Sequence, residues 1–390
     1  MVGKMLVAAL AVLAVAGCTP AAPVTEAADW VGSWAVAAQS GGRSFGRQTV
    51  RQVLRTSIGG STVRLRLSNE FGDAPLTLAN VRLALSEGDA AIDASTSTAV
   101  TFGGAATATM AAGASLESDP VAFALPASAD VAVSAYLPDG SRATTWHSFA
   151  NRHNYVGAND QTAGATLTGA ETVDSYFFLS GLDVRDPSAE GAVVALGASI
   201  TDGFDSAFGA GRRWPDLLAR RLGTAGRTVG VLNAGISGNK LLRDGAGESV
   251  PKRLERDVLS QPGVRWVVLS DAAINDLGDD SPSGEQLITA LRAVIDRSHD
   301  AGVRVLCSTL TPFKGADYWS TRGEAGREAV NAFLRGASSG CDGVIDLDAA
   351  THDPDDPARY LARYDSGDHL HPNDAGMRAI DEAVDLSLLR

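Results

Sequence analysis

Five short apolar runs, Val193–Leu196, Val229–Leu232, Trp266–Leu269, Val303–Cys307 and Val344–Leu347, alternate along the chain with stretches of helical period. Trp214, Leu217, Leu218 and Leu222 share one helix face, Leu287, Leu291 and Ile295 a second, and Met377, Ile380, Val384 and Leu388 a third. A strand that reads as continuously apolar is covered on both faces, because a strand with one wet face alternates polar and apolar residues. Strand and helix in strict alternation therefore predict an α/β fold with a doubly wound parallel sheet of about five strands, whose ligand crevice lies beyond the carboxyl ends of the strands.

The chain from Trp30 to about Val184 follows a different rule. STVRLRLS places Val63, Leu65 and Leu67 against Ser61, Arg64 and Arg66 with period two, and DVAVSAYL repeats the pattern with Val131, Val133 and Ala135. Gly, Ser, Thr, Pro and Asp clusters interrupt such runs at short intervals, which predicts an all-β sandwich or jelly-roll-like domain. With 390 residues, 45% of them hydrophobic, the chain has material for two domains, each with its own core. The boundaries read from the pattern are 30–186 for the β-rich domain and 187–390 for the α/β domain.

The first residues stand apart. Lys4 followed by an apolar run from Met5 to Ala16 is too short to span a membrane and fits a secretory signal. Val15-Ala16-Gly17-Cys18 resembles a bacterial lipobox, so residues 1–17 are expected to be a lipoprotein signal peptide and Cys18 the lipidated residue. Residues 18–29 then form a tether, and the mature protein is secreted across the bacterial inner membrane and held at the cell envelope by lipid alone. Acidic residues outnumber basic ones, 46 to 33, for a net charge of −13, which argues against a nucleic-acid partner. An oxidising compartment permits a bridge between Cys307 and Cys341 without requiring it, and their positions, inside one apolar run and just before another, favour two buried free thiols.

Residues able to do chemistry gather at the predicted strand ends. Ser199 follows the first strand in GASITDG, where a hydroxyl meets backbone N–H groups free to receive an oxyanion. LNAGISGN places Gly235 at the end of the second, and AAINDLG places Asn275 at the end of the third, a carboxamide suited to donate toward a tetrahedral oxyanion. Near the C-terminus, SGDHLHPND sets Asp368 three residues before His371, close enough for the carboxylate to orient the imidazole. Pro372 keeps His371 out of a helix, and Asn373 can cap the helix that follows.

These four blocks resemble the SGNH or GDSL hydrolases, in order and spacing, over roughly two hundred residues, the size of one domain. The resemblance implies a flavodoxin-like sheet, the triad Ser199, His371 and Asp368, an oxyanion hole from Ser199, Gly235 and Asn275, and no cofactor or metal. It also implies an esterase acting on a small-molecule or polysaccharide ester, short-chain or O-acetyl esters foremost. A lipase, lysophospholipase or thioesterase of the same fold, or a degenerate binding lipoprotein, are the alternatives. Two positions depart from the family: Ala198 stands where Asp is usual, and Ala273 where Gly is usual. An aspartate at 198 can brace the turn by accepting backbone N–H groups, so its loss predicts a slow enzyme that Ala198→Asp would accelerate. His147 and His153, amid Trp146, Phe149 and Tyr155, read as packing residues of the first domain, with a sugar-binding surface as the alternative, and His299 reads as a solvent-facing residue at a helix end.

Overall fold

The computed structural model describes residues 30–278 and 282–390. The expected signal peptide and the whole of the expected tether, Cys18 included, lie outside the described residues.

The N-terminal half is all β. Strands β1 (Trp30–Ala35), β2 (Gln48–Arg55), β3 (Gly60–Ser68), β4 (Leu76–Gly88), β5 (Val121–Leu125), β6 (Asp130–Leu137), β7 (Asn154–Ala158) and β8 (Leu179–Arg185) carry it. They form two antiparallel sheets, one ordered β1-β8-β3-β5 and the other β7-β2-β6-β4. The period-two residues meet between them: Val63, Leu65 and Leu67 of β3 and Val131 and Val133 of β6 lie in one buried cluster.

The C-terminal half is a parallel sheet wrapped by helices. Its strands are β9 (Gly191–Gly197), β10 (Val229–Gly235), β11 (Val264–Leu269), β12 (Arg304–Ser308) and β13 (Gly343–Ile345), in the order β10-β9-β11-β12-β13. The helices are α1 (Ser199–Asp202), α2 (Trp214–Thr224), α3 (Val250–Leu254), α4 (Gly284–Asp300), α5 (Thr321–Arg335), α6 (Leu347–Thr351) and α7 (Asp374–Ala383). Alternate residues of β9 serve opposite faces. Val193 and Ala195 pack with Trp214 and Leu218 of α2 and Met377 and Ile380 of α7, while Ala192, Val194 and Leu196 share a cluster with Leu287 and Leu291 of α4. The strand order reverses at β9, and so the switch-point crevice opens beside its carboxyl end, where Ser199 begins α1.

Four expectations change. The two halves do not keep separate cores, because Val31 and Trp34 of β1 belong to the same cluster as Val194 and Leu196 of β9. The contact is close: a Cβ on Gly230 of β10 would lie 2.0 Å from the Gly32 carbonyl oxygen. Two hydrogen bonds reinforce it, Val231 N–H to Ser57 Oγ at 2.9 Å and Gly32 N–H to the Pro262 carbonyl at 3.0 Å. Second, Cys307 and Cys341 are joined in a disulfide that ties β12 to the turn before β13. A closed loop of this length is worth about 3 to 4 kcal/mol in the chain-entropy account. Third, Leu347 starts α6 instead of ending a strand, and Val384 and Leu388 fall beyond α7. Fourth, α5 is a long helix beyond the three apolar faces read from the sequence, and its buried face includes Gly323, Gly326 and Asn331 beside Val330 and Leu334.

Asp381 in α7 is a built-in liability. It is buried, its Oδ1 makes no hydrogen bond among the described residues, and Arg221 Nε stays 3.7 Å away. Burial raises its carboxyl to about 6, only partly opposed by Arg221. The folded state thus holds this proton more tightly than the unfolded chain, so stability falls as pH rises from about 4 through 6 and the full penalty stands above that. Asp381→Asn is expected to stabilise the protein at pH 7.5 by about 1 to 3 kcal/mol and to change little at pH 4. Urea unfolding at the two pH values checks this, and an equal change at both would refute it.

Candidate active site

Ser199 is the first residue of α1, reached directly from β9 through Gly197 and Ala198. The turn is held by a carboxylate from the neighbouring strand. Asp271, two residues past β11, accepts the N–H of Ala198 at 3.0 Å, the N–H of Ile200 at 2.9 Å and the hydroxyl of Thr201 at 2.6 Å. Gly197 makes room for this: a Cβ there would sit 2.2 Å from both Asp271 Oδ1 and Thr201 Oγ1. The N–H of Ser199 itself, between two that are taken, has no acceptor among the described residues.

The 365–373 loop brings the other groups. His371 Nδ1 lies 2.6 Å from Asp368 Oδ2, and His371 Nε2 lies 2.7 Å from Ser199 Oγ. With Nδ1–H donating to the carboxylate, Nε2 is left to accept the serine proton. Burial alone would raise Asp368, but the backbone N–H of His371, the His371 ring and the N–H of Leu370 outweigh it and hold the carboxyl at about 2. One tie joins the loop to α7, and a second, from the first residue of α7, reaches the segment after α1. Asn373 caps α7 by accepting the N–H groups of Ala375 and Gly376, and Asp374 accepts Ala207 N–H at 2.8 Å and Arg212 Nη1 at 2.9 Å. Ser199 is 5% and His371 8% exposed, so little besides a reacting group reaches them. Phe204 lies with its ring 4.6 Å from the His371 ring and 5.9 Å from Phe149 of the β-rich half.

The structure brings Asn275 to this edge but corrects the role expected of Gly235. The N–H of Gly235 donates to Asn233 Oδ1 at 2.9 Å, which removes it as an oxyanion donor, and its Cα is pressed against α1, where a Cβ would lie 2.3 Å from the Asp202 nitrogen. The N–H without an acceptor among the described residues belongs to Gly238, in a left-handed conformation at φ +78°. Gly238 is bracketed by Ser237, which donates from N–H and Oγ to Asp202 Oδ2 of α1, and by Asn239, whose carbonyl accepts Asn275 Nδ2 at 2.9 Å. Asn275 Nδ2 keeps a second hydrogen.

The family of this domain follows from a sequence comparison. The description of the GDSL-like lipase/acylhydrolase family matches residues 195–379. The C-terminal domain belongs to that family. By this membership the chain is a carboxylic ester hydrolase. No curated protein matches the chain. Among solved structures it is similar to a G-D-S-L family protein from Desulfitobacterium hafniense DCB-2, 20% identical over 50% of this chain and 97% of that one, with a TM-score of 0.40. It is also similar to Axe2, an acetylxylan esterase from Geobacillus stearothermophilus, 21% identical over 52% and 95% of the two chains, with a TM-score of 0.38.

Three residues that hold this GDSL-like domain's site escaped the sequence reading. Asp271 supplies the brace whose absence was inferred from Ala198, so the turn is not unbraced. Ala273 needs no glycine, since its φ of −106° is open to any residue. Arg253, fully buried, donates to the Ala234 carbonyl at 2.7 Å, the Gly197 carbonyl at 2.9 Å and Asn239 Oδ1 at 3.0 Å, tying the ends of β9 and β10 together. An arginine in a helix reads as a solvated residue, and nothing in the pattern marks it as otherwise. His147 is the third, buried between the halves. By contrast His153 and His299 pair with Asp174 at 2.7 Å and Asp342 at 2.9 Å in exposed positions away from the reacting groups.

Asp271→Ala removes the carboxylate that accepts three hydrogen bonds from the turn carrying Ser199 and is expected to lower kcat about 10²-fold, the loss typical of a displacement near 1 Å, with a smaller change in KM. Ala198→Asp places a second carboxylate at a fully buried position beside an occupied brace, so kcat should not rise and the melting temperature should fall. Steady-state kinetics and thermal unfolding of the two variants check both statements, and a faster Ala198→Asp enzyme would restore the missing-brace explanation.

Proposed function

We propose that the protein is a serine esterase that works outside the cytoplasm on short acyl esters, O-acetyl groups foremost, carried by a small molecule or a polysaccharide. The observation that carries this reading is the unbroken chain from Asp368 Oδ2 through His371 to Ser199 Oγ, with links of 2.6 and 2.7 Å. Ser199 attacks the ester carbonyl while His371 Nε2 takes its proton. The N–H groups of Ser199 and Gly238 and the free hydrogen of Asn275 Nδ2 receive the charge that develops on the carbonyl oxygen. His371 then protonates the departing alcohol, and a water attacks the acyl-serine by the same route in reverse. Asp368, held at about 2, accepts from the ring as a carboxylate, and so places the single hydrogen of a neutral imidazole on Nδ1 and leaves Nε2 as the acceptor.

Location outside the cytoplasm is supported by the lipobox-like Val15–Cys18 and by the Cys307–Cys341 disulfide, which suits an oxidising compartment. The lipid-anchored reading has its own test: wild type should partition into detergent and Cys18→Ser should not. Two soluble proteins would remove the anchor.

A fluorophosphonate probe should label Ser199 in the wild type, fail on Ser199→Ala and fail largely on His371→Ala. Asn275→Ala should retain labelling but lose about 10²- to 10³-fold in kcat on p-nitrophenyl acetate. Activity falling steadily from acetyl to longer acyl esters supports the short-chain reading, and a maximum at long chains would replace it with a lipase.

A further inference from the structure

His147 lies in the short strand Thr145–His147 of the β-rich half, yet its ring points into the hydrolase domain, 2% exposed. Its Nδ1 is 2.9 Å from the Ala37 carbonyl oxygen and its Nε2 is 3.1 Å from Asp202 Oδ1. Neither acceptor brings a hydrogen of its own when Asp202 is ionised, so the arrangement requires the ring to donate from both nitrogens, or the pair to share one proton between Nε2 and Oδ1. In either case the imidazole is committed on both sides and does not present a face to substrate.

Asp202 is the last residue of α1, the helix that Ser199 begins, and it is as buried as its partner. Its second oxygen, Oδ2, accepts the N–H of Ser237 at 2.9 Å and the Ser237 hydroxyl at 2.7 Å. Ser237 immediately precedes Gly238, whose N–H has no acceptor among the described residues. One carboxylate thus joins three parts: the nucleophile helix that carries it, the oxyanion turn through Oδ2, and the β-rich half through Oδ1. A buried carboxylate is costly unless its oxygens are filled, and among the described residues His147 is the partner that fills Oδ1. Without it, Asp202 would have reason to draw water in or to turn away from Ser237, loosening the distance between Ser199 and Gly238.

We infer that His147 is a positioning residue for ester hydrolysis, and that the β-rich half completes the active site through it instead of serving only as an appended binding module. The inference rests on the serine-esterase reading, because what it positions are the nucleophile and an oxyanion donor of that reading.

The test uses the whole chain and p-nitrophenyl acetate, a substrate too small to engage a polysaccharide surface. His147→Ala is expected to lower kcat about 10²-fold while KM changes less than about threefold, because the defect lies in the geometry met by the transition state. His147→Gln, which can still donate to Asp202, should recover about tenfold of that loss, and this variant also covers the case in which alanine prevents folding. In a double-mutant cycle the loss in the combined His147→Ala, Asp202→Asn variant should fall well short of the product of the two single losses, since both substitutions act on the link between Nε2 and Oδ1. Unchanged kcat in a folded His147→Ala or His147→Gln enzyme overturns the inference, as does a loss confined to KM or to acetylated polysaccharide. Ser199→Ala, run alongside, separates the two levels: if it stays active, the serine-esterase reading itself has failed, whereas an inactive Ser199→Ala with a fully active His147→Ala removes only the role of His147.

Discussion

The carboxylate of Asp271, set into the space that Gly197 leaves empty, is the contact on which the reactive edge of this protein depends. A chain leaving a parallel strand and entering a helix within two residues exposes N–H groups that need acceptors. Asp271 takes those of Ala198 and Ile200 and skips the one between them. What remains is a turn whose only unoccupied donor among these three belongs to Ser199, at the point where an ester oxygen would gather charge. The brace comes from across the sheet, so the direction of Ser199 is tied to the register of β9 against β11, where Leu196 pairs with Leu269.

A second set of ties closes the opposite side of the site. Arg253, with no exposure to solvent, spends its guanidinium on carbonyls at the ends of β9 and β10 and on Asn239, while Asp257 at 3.1 Å balances its charge. Asn239 in turn holds Asn275, and Asp276 accepts the N–H groups of Leu241 and Leu242. The side of the crevice that carries Gly238 and Asn275 is therefore a network of filled acceptors with selected donors left open. Such networks are worth having only when nearly complete, since each unfilled buried group costs more than a made bond returns.

The β-rich half belongs to the same physical object. β1 crosses β10 where Gly32 and Gly230 leave no side chain, and the apolar cluster runs through both halves without a break. Interfaces between independent domains are generally more polar and leave room for relative motion. Here the contact is apolar at the core and reaches α1 through a buried histidine.

How much of this could be read from the residues depends on the distance over which each signal acts. The parallel sheet was legible because burial on both faces writes itself into consecutive residues: Val193 to Leu196 are apolar whichever face they serve. The β-rich half was legible for the converse reason, as Val63, Leu65 and Leu67 alternate with the arginines between them. Ser199, Asn275, Asp368 and His371 stood out because chemistry requires particular side chains at strand ends, and strand ends can be located from a pattern. Which N–H is spoken for is different in kind. Gly235 and Gly238 look equally suitable in NAGISGN, and only the folded turn hands the first to Asn233 and leaves the second open. Asp271, Arg253 and His147 are ordinary residues in their local contexts, and they reach partners as far as 73, 56 and 110 positions away. Hydrogen bonding between such residues follows from how sheets, helices and the two halves pack, and packing is a property of the whole chain that no short stretch of it encodes.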